Sequence, residues 1–455
     1  MADTVSDLPS PRLPSILPIL SVNFVGTLGF SIVVPFMVFL VTDWGGNALV
    51  YGVLASTYSA FQLIGAPILG RWSDQIGRRK VLLVSQLGTL ASWVVFLIAF
   101  YLPTDAIIQV DSGLLGQFAL TLPLIVLFFA RAADGLTGGN VSVANAYLAD
   151  ITDDAHRTEN FGRMAMSTNA GFIFGPALAG LLGASVLGEM LPVIAALLIS
   201  VVASVLTYFG LSDNHAGMLR TKPGLSNACK VFGQETKEVY RLKGCGETPK
   251  TDLMRLPRIP QLMLVNFLVM LGFSFFYIAF PVHAATRLDW TVTDTGVFFA
   301  VLSLFMMLVQ GPLLARAAKV VSQRLLVSGG GLVLGLGFVS LFWNTTASIY
   351  LAALLIAVGN GLMWPTFTAV LSTFAGNEHQ GAVQGMASSL SAAASIMGLI
   401  GGGLLYDWIT SWVFLLSAAT ITLAALVAFA LPGSTDDPRR RFLRADSAEL
   451  SGKEP

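Results

Sequence analysis

The sequence predicts an all-α membrane protein with twelve transmembrane helices in two pseudo-symmetric six-helix bundles. Three observations predict it. The chain has 455 residues, 55% of them hydrophobic and only 11% charged, against about 25% charged in a soluble globular protein. Its apolar residues fall in twelve runs, each long enough to cross about 30 Å of hydrocarbon at about 1.5 Å per helical residue. The second half of the chain also repeats the first. Runs of this length exclude the strands of a barrel, the other structure that can cross lipid.

The expected spans lie at 15–41, 49–70, 81–102, 121–148, 163–187 and 191–211 in the first bundle (15–211). In the second bundle (260–431) they lie at 260–283, 294–315, 324–343, 347–372, 382–405 and 411–431. The leading tail, 1–14, carries Asp3 and Asp7 and no basic cluster. It does not read as a signal peptide, so the first span is expected to be retained. The polar linker 212–259 holds nine basic residues. Its stretch 227–243 reads either as an amphipathic helix on the inner leaflet or as a solvated connection. The tail 432–455 reads as disordered, with a basic run, Arg439–Arg441, placed to touch anionic lipid.

Of 26 Lys and Arg residues, 24 fall in the tails or in the loops after spans 2, 4, 6 and 8, counting Arg163 and Arg324 at the span edges that close two of those loops; the exceptions are Arg131 and Arg287. The positive-inside rule puts both termini in the cytoplasm, in the inner membrane if the source is bacterial. Zero net charge gives no pull toward nucleic acid. Cys229 and Cys245 share the linker and read as free thiols. The four His residues have no ligand spacing, and no nucleophile-elbow or phosphate-binding motif occurs. No enzyme activity, metal or cofactor is expected.

The repeat is visible residue by residue. Val22–Ser31 and Val265–Ser274 agree at seven of ten positions, at an offset of 243. At an offset of 245, Pro67, Leu69, Arg71 and Arg79 meet Pro312, Leu314, Arg316 and Arg324. At an offset of 223, Gly162, Gly175 and Gly180 meet Gly385, Gly398 and Gly403. Three matches in order argue for a six-plus-six duplication. In parallel repeats of this kind the substrate site lies between the halves.

The loop after span 2 carries Gly70, Asp74, Gly77, Arg78, Arg79 and Lys80 in order. It resembles the first motif of the major facilitator superfamily. So short a turn needs the backbone freedom of Gly77, and the basic cluster holds the loop inside. The resemblance implies a gate: Asp74 faces the start of span 11 near Gly381 and Ala382 and biases one side of alternating access. The alternative is a topological anchor. The second-half copy has Lys319 and Ser322 where Asp74 and Gly77 stand, so no equivalent gate is expected there.

Span 4 and its exit loop read Arg131 to Asn140, then Asn145 to Asp153, with Asp150 and Arg157. Span 5 holds Gly171, Gly175, Pro176 and Gly180. These are similar to the drug:proton antiporter branch, and most of all to the tetracycline/proton antiporters. Two departures stand out: the acidic positions that branch has in spans 1 and 3 are Gly26 and Ser92 here. The glycine spacings, Gly171 with Gly175, Gly381 with Gly385 and Gly398 with Gly402, suit close helix approach. Pro176 adds a bend.

Asp134 is the one acid well inside an expected span, three residues after Arg131 on the same helix face. Intramembrane ionisable groups cost roughly 2.5–3.5 kcal/mol and usually carry function. Either Asp134 takes and releases a proton with Arg131 as its switchable partner, or the two form a permanent pair that locks the helix. Substrate-cavity candidates are Asn23, Tyr58, Gln62, Asn140, Asn169, Asn266, Tyr277, Asn360, Trp364 and Gln384. The expectation is a secondary transporter working by alternating access, exporting an amphipathic small molecule or drug against protons. Alternatives are an uncoupled or differently coupled carrier of a lipid-like or other organic solute, and a non-transporting receptor or scaffold.

Overall fold

The computed structural model describes residues 15–33, 36–138, 140–152, 157–212 and 258–430; the side chains at 74, 140–142, 149, 157–159, 162, 165, 372, 375–382 and 384 lie outside that description. The tail 1–14, the linker with its 227–243 stretch and the tail 432–455 are also outside it.

The first half runs α1 (Leu17–Ser31), α2 (Met37–Asp43), α3 (Ala48–Ile76), α4 (Arg78–Ala99), β1 (Ala106–Ser112), β2 (Gly116–Thr121), α5 (Leu122–Thr137), α6 (Asn140–Ile151), α7 (Arg157–Gly183) and α8 (Met190–Gly210). The second half runs α9 (Ile259–Arg287), α10 (Val292–Leu308), α11 (Leu314–Val320), α12 (Gln323–Ser340), α13 (Thr346–Ile409) and α14 (Trp412–Phe429). Nine helices among the described residues are long and apolar enough to cross a membrane. The other expected spans correspond to α1 with α2, α5 with α6, and α7.

Four local features depart from unbroken spans. The first span breaks between α1 and α2, where the sequence has Pro35, which cannot donate a backbone hydrogen bond. The fourth span breaks after Thr137, at Gly138. The carbonyls freed there are taken by side chains: Ser85 donates to the Thr137 carbonyl and Gln62 Nε2 to the Gly138 carbonyl at 2.9 Å. Between α10 and α11 the chain widens into a π turn, Val309–Leu313, around Pro312, as a missing donor in mid-helix favours. The segment 103–120, between the third and fourth expected spans, holds the antiparallel β1–β2 hairpin.

Spans 10 and 11 merge into the 64-residue α13. Both of its ends meet His283 on α9: Asn344 Oδ1 at 2.7 Å and the Tyr406 hydroxyl at 3.0 Å. The element therefore reverses direction between its two apolar stretches, Thr346–Leu371 and Gly385–Ile409.

The duplication is physical as well as textual. Asn23 Nδ2 of α1 donates to Thr168 Oγ1 (2.7 Å) and Ser167 Oγ (3.3 Å) of α7. Asn266 Nδ2 of α9 donates to Ser391 Oγ (2.8 Å) and the Ala387 carbonyl (3.0 Å) of α13. Asn23 maps onto Asn266, and Thr168 onto Ser391, at the two sequence offsets of 243 and 223. Two turns further on, Gly175 packs against Ser31, and a Cβ on Gly398 would lie 2.6 Å from Ser274 Cβ. The two small residues of each pair occupy equivalent positions, so each half carries the same close helix crossing.

The halves meet by a second duplicated contact. Gly180 of α7 faces Gly296 and the Thr293 carbonyl at the start of α10, and Gly403 of α13 faces Ala48 and Leu49 at the start of α3. Both contacts lie at the end that carries the β-hairpin. The opposite end is where the linker leaves α8 and enters α9; there Gly210 packs on Pro18 and Arg324 on the Phe429 ring. Towards this linker end, Gly70 of α3 and Gly385 of α13 have no described heavy atom within 4 Å of a Cβ position. α3 and α13 thus touch at the hairpin end.

Gly398→Ala is expected to destabilise the protein by about 1–3 kcal/mol, because the new methyl overpacks the α9–α13 crossing. Gly385→Ala adds a methyl with no described atom within 4 Å and is expected to be neutral or stabilising by up to about 1 kcal/mol. Unfolding midpoints of the purified protein check this; equal losses at both positions would contradict it.

Candidate functional site

The site is built on α5, which crosses between α3 and α4. Its glycines permit that approach: Gly135 sits against the Tyr58 backbone, Gly65 of α3 against Leu136, and Gly88 of α4 against Thr137. Side chains at these positions would push the three helices apart. The tight crossing turns Arg131 and Asp134 inward, where they are 5% and 6% exposed.

Arg131 Nη1 donates to Asp134 Oδ2 at 3.2 Å. The guanidinium carbon also lies 4.6 Å from the centre of the Tyr58 ring and 5.8 Å from that of Phe30, and these two rings are 4.8 Å apart. Aromatic faces attract a cation by about 0.5–2 kcal/mol each, more when water is excluded. The Thr89 side chain of α4 stands beside Asp134. Arg131 Nε is buried with no hydrogen-bond partner among the described atoms. The pair is therefore neutral overall, yet one donor of the cation remains uncommitted. Tyr277, on α9 of the other half, lies within electrostatic reach of Arg131. The pair faces the seam between the halves.

The structure thus brings Arg131, Asp134, Tyr58, Gln62 and Tyr277 into one neighbourhood. Gln62 Nε2 also donates to the Tyr58 hydroxyl at 3.2 Å, which ties the aromatic wall to the break after α5. Asn23 and Asn266 lie elsewhere, in the α1–α7 and α9–α13 crossings, with their amides already bonded. Trp364 stacks on Phe367 (5.8 Å between ring centres), Asn360 is half-buried, and Asn169 is exposed. The side chains of Asn140 and Gln384 lie outside the described residues. Thr89 escaped the sequence reading because a lone Thr in an apolar helix carries no signal until the facing acid is placed.

The α3–α4 turn is held by its basic residues. Gly77 has φ 104°, in the left-handed region that favours glycine. Arg78 Nε pairs with Asp150 Oδ2 at 3.1 Å, and its Nη1 donates to Ser73 Oγ at 2.6 Å. Arg79 donates to the Tyr208 carbonyl at 2.6 Å and lies over the Tyr208 ring. The turn is thereby clamped to α6 and α8 within the first half. The side chains of Asp74, Arg157, Gly381 and Ala382 lie outside the described residues.

Comparison with known proteins decides the family. The Major Facilitator Superfamily pattern matches residues 19–398 and again 262–452. The chain belongs to the Major Facilitator Superfamily. It is 27% identical over 433 residues to the class E tetracycline resistance protein of Escherichia coli, covering 93% of this chain and 97% of that one. It is 25% identical over 398 residues to multidrug resistance protein 2 of Bacillus subtilis (strain 168), covering 86% and 88%. The crystal structure of a D-xylose-proton symporter shares the fold, with a TM-score of 0.69 at 15% identity over 92% of this chain and 98% of that one. The chain is accordingly a multi-pass membrane protein and a secondary transporter of this superfamily, related to tetracycline and multidrug resistance proteins, and not an enzyme.

Asn23→Ala and Asn266→Ala are each expected to cost about 0.6–2 kcal/mol of stability, the worth of an interhelical hydrogen bond in a membrane bundle. Neither is expected to change substrate affinity more than about twofold, since each amide is spent on a helix crossing. Unfolding midpoints and binding titrations read the two effects separately. A large loss of affinity at unchanged stability would place these amides in the substrate cavity.

Proposed function

We propose that the protein is a proton-coupled exporter of amphipathic small molecules, with Asp134 as the proton site and Arg131 as its exchangeable partner. The carrying observation is the buried pair: an acid and a cation held by one contact of 3.2 Å at the seam between the halves, with Arg131 Nε left over. A carboxylate that gains a proton loses its hold on the guanidinium. The cation then turns wholly to the Tyr58 and Phe30 faces, and the local charge changes by one. Carrier halves that rock about a site between them respond to such a change, because protonation favours whichever conformation binds the proton more tightly. An aromatic wall with one titratable acid suits an amphipathic substrate that competes with the proton for Asp134. The names of the tetracycline and multidrug resistance relatives agree with that chemistry.

The positive-inside distribution supports a cytoplasmic linker end, so the conformation described above, with its halves in contact at the hairpin end, is closed to the outside. The likeness of the α3–α4 turn to the superfamily's first motif supports Asp74 as a latch between α3 and the start of the returning half of α13 when the linker end closes. Uncoupled carriage of an organic solute is the second reading, favoured by Gly26 and Ser92 standing where the tetracycline antiporters have acids.

Proteoliposomes given a pH gradient and a panel of amphipathic dyes and antibiotics test the proposal. Wild type is expected to move a panel member with coupled proton movement, and Asp134→Asn to lose proton-driven flux by at least about tenfold, since an intramembrane acid with this role has no substitute. Flux insensitive to pH would favour the uncoupled carrier. Proton-driven flux that survives Asp134→Asn would sink the assignment. Separately, Asp74→Asn is expected to lower transport with insertion and yield intact; reduced insertion alone would make the loop an anchor.

A further inference from the structure

The hairpin end is sealed by contacts that the duplication does not explain. The β1–β2 hairpin is fastened to the α2–α3 connection: the Ala119 amide donates to the Gly45 carbonyl at 2.8 Å and Thr121 Oγ1 to the Trp44 carbonyl at 2.9 Å. Asn47, the N-cap of α3, accepts from the Val50 amide at 3.0 Å and donates to the Leu115 carbonyl at 2.9 Å. One side chain thus starts the helix and ties it to the hairpin tip.

From this anchorage in the first half, the hairpin reaches across to the second. Trp408 Nε1 of α13 donates to the Leu114 carbonyl at 2.9 Å. Beside it, Asp407 Oδ2 accepts from the Leu49 amide at 3.3 Å. That places a carboxylate at the positive end of α3, where unsatisfied amides and the helix dipole favour an anion. Gly116 closes the corner. It has φ 74°, and a Cβ there would fall 2.9 Å from Asn47 Nδ2 and 3.6 Å from Asp407 Oδ2. A residue with no side chain is what lets hairpin, α3 and α13 converge at one point.

We propose that the hairpin and Asp407 form a strap that locks the hairpin end shut, and that Asp407 and Trp408 must release α3 and the hairpin before this end opens. The strap is one-sided. At the offset that maps α7 onto α13, Asp407 corresponds to Ala184 and Trp408 to Ser185, so the α7–α10 seam has no such acid or indole. Opening therefore breaks charge-assisted and indole bonds along the α3–α13 seam, while among the described residues the α7–α10 seam is marked by the close approach of Gly180 to Gly296. A charge-assisted hydrogen bond is worth enough to hold a two-state equilibrium by tenfold or more. The strap needs neither a substrate nor proton coupling, so it stands or falls apart from the exporter reading.

Spin labels on Val186→Cys and Trp343→Cys, both exposed at the hairpin end and outside the strap, measure it. The background is full-length protein in lipid nanodiscs with Cys229 and Cys245 replaced by Ser. Asp407→Asn is expected to raise the ratio of long to short distances about tenfold, Trp408→Phe about threefold, and Asp407→Glu to restore part of the short population. Should a variant at Asp407 or Trp408 not be recovered folded, Gly116→Ala leaves both side chains in place, displaces the hairpin by crowding Asn47 Nδ2, and is expected to give the same lengthening. Distance distributions identical to the parent in the folded variants would overturn the proposal.

Discussion

A charged pair with almost no access to solvent dominates this molecule. Removing one partner from a buried pair commonly costs about 3–5 kcal/mol, because the survivor is left charged and unpaired. Arg131 and Asp134 avoid that cost through the helices around them: Thr89 from α4 on the acid, and Tyr58 and Phe30 from α3 and α1 on the cation. These partners reach the pair only because Gly65, Gly88 and Gly135 let α3, α4 and α5 approach closely. The break after Thr137 belongs to the same arrangement. Its freed carbonyls are answered by Ser85 and Gln62, and Gln62 in turn bonds Tyr58. The ion pair, its aromatic wall and the helix break are one connected polar system in an otherwise apolar bundle.

Around that system the duplicated halves supply a frame in which some contacts are copied and others are not. The Asn–hydroxyl bonds and glycine–serine crossings recur in both halves, which suits rigid bodies that move as units. The turn clamped by Arg78 and Asp150 and the strap at Asp407 break the symmetry, one at each end of α3. A single helix, running from the hairpin end to the linker end, therefore carries the asymmetric contacts of both ends.

Much of this was legible in the sequence because the bilayer imposes length and polarity on each segment. Apolar runs gave the spans, and the repeat gave the halves. The 243 and 223 offsets located a real hydrogen bond, Asn23 to Thr168 and its copy Asn266 to Ser391, although the pattern alone left those amides as cavity candidates. A sequence offset finds equivalence; it does not reveal what an amide bonds. Asp134 with Arg131 was visible because a charge within an apolar run is conspicuous. The β-hairpin was not, since Ala106–Thr121 lacks the two-residue turn signal and its strength lies in bonds to Trp44, Gly45 and Asn47. Thr89, Ser85 and Asp407 were equally hidden. Each acts on a group distant in sequence, and residue type alone does not announce such a partner.

The central claim is that Asp134 exchanges a proton as substrate comes and goes. Counting protons tests it most directly: a pH-sensitive dye in weakly buffered solution, with purified protein and a dye or antibiotic from the panel shown to be transported. The account predicts about one proton released per substrate bound by wild type at a pH where Asp134 is protonated, and none by Asp134→Asn that still binds. Equal release from both proteins would show that the proton resides elsewhere, and the buried pair would then be a structural tie within the bundle.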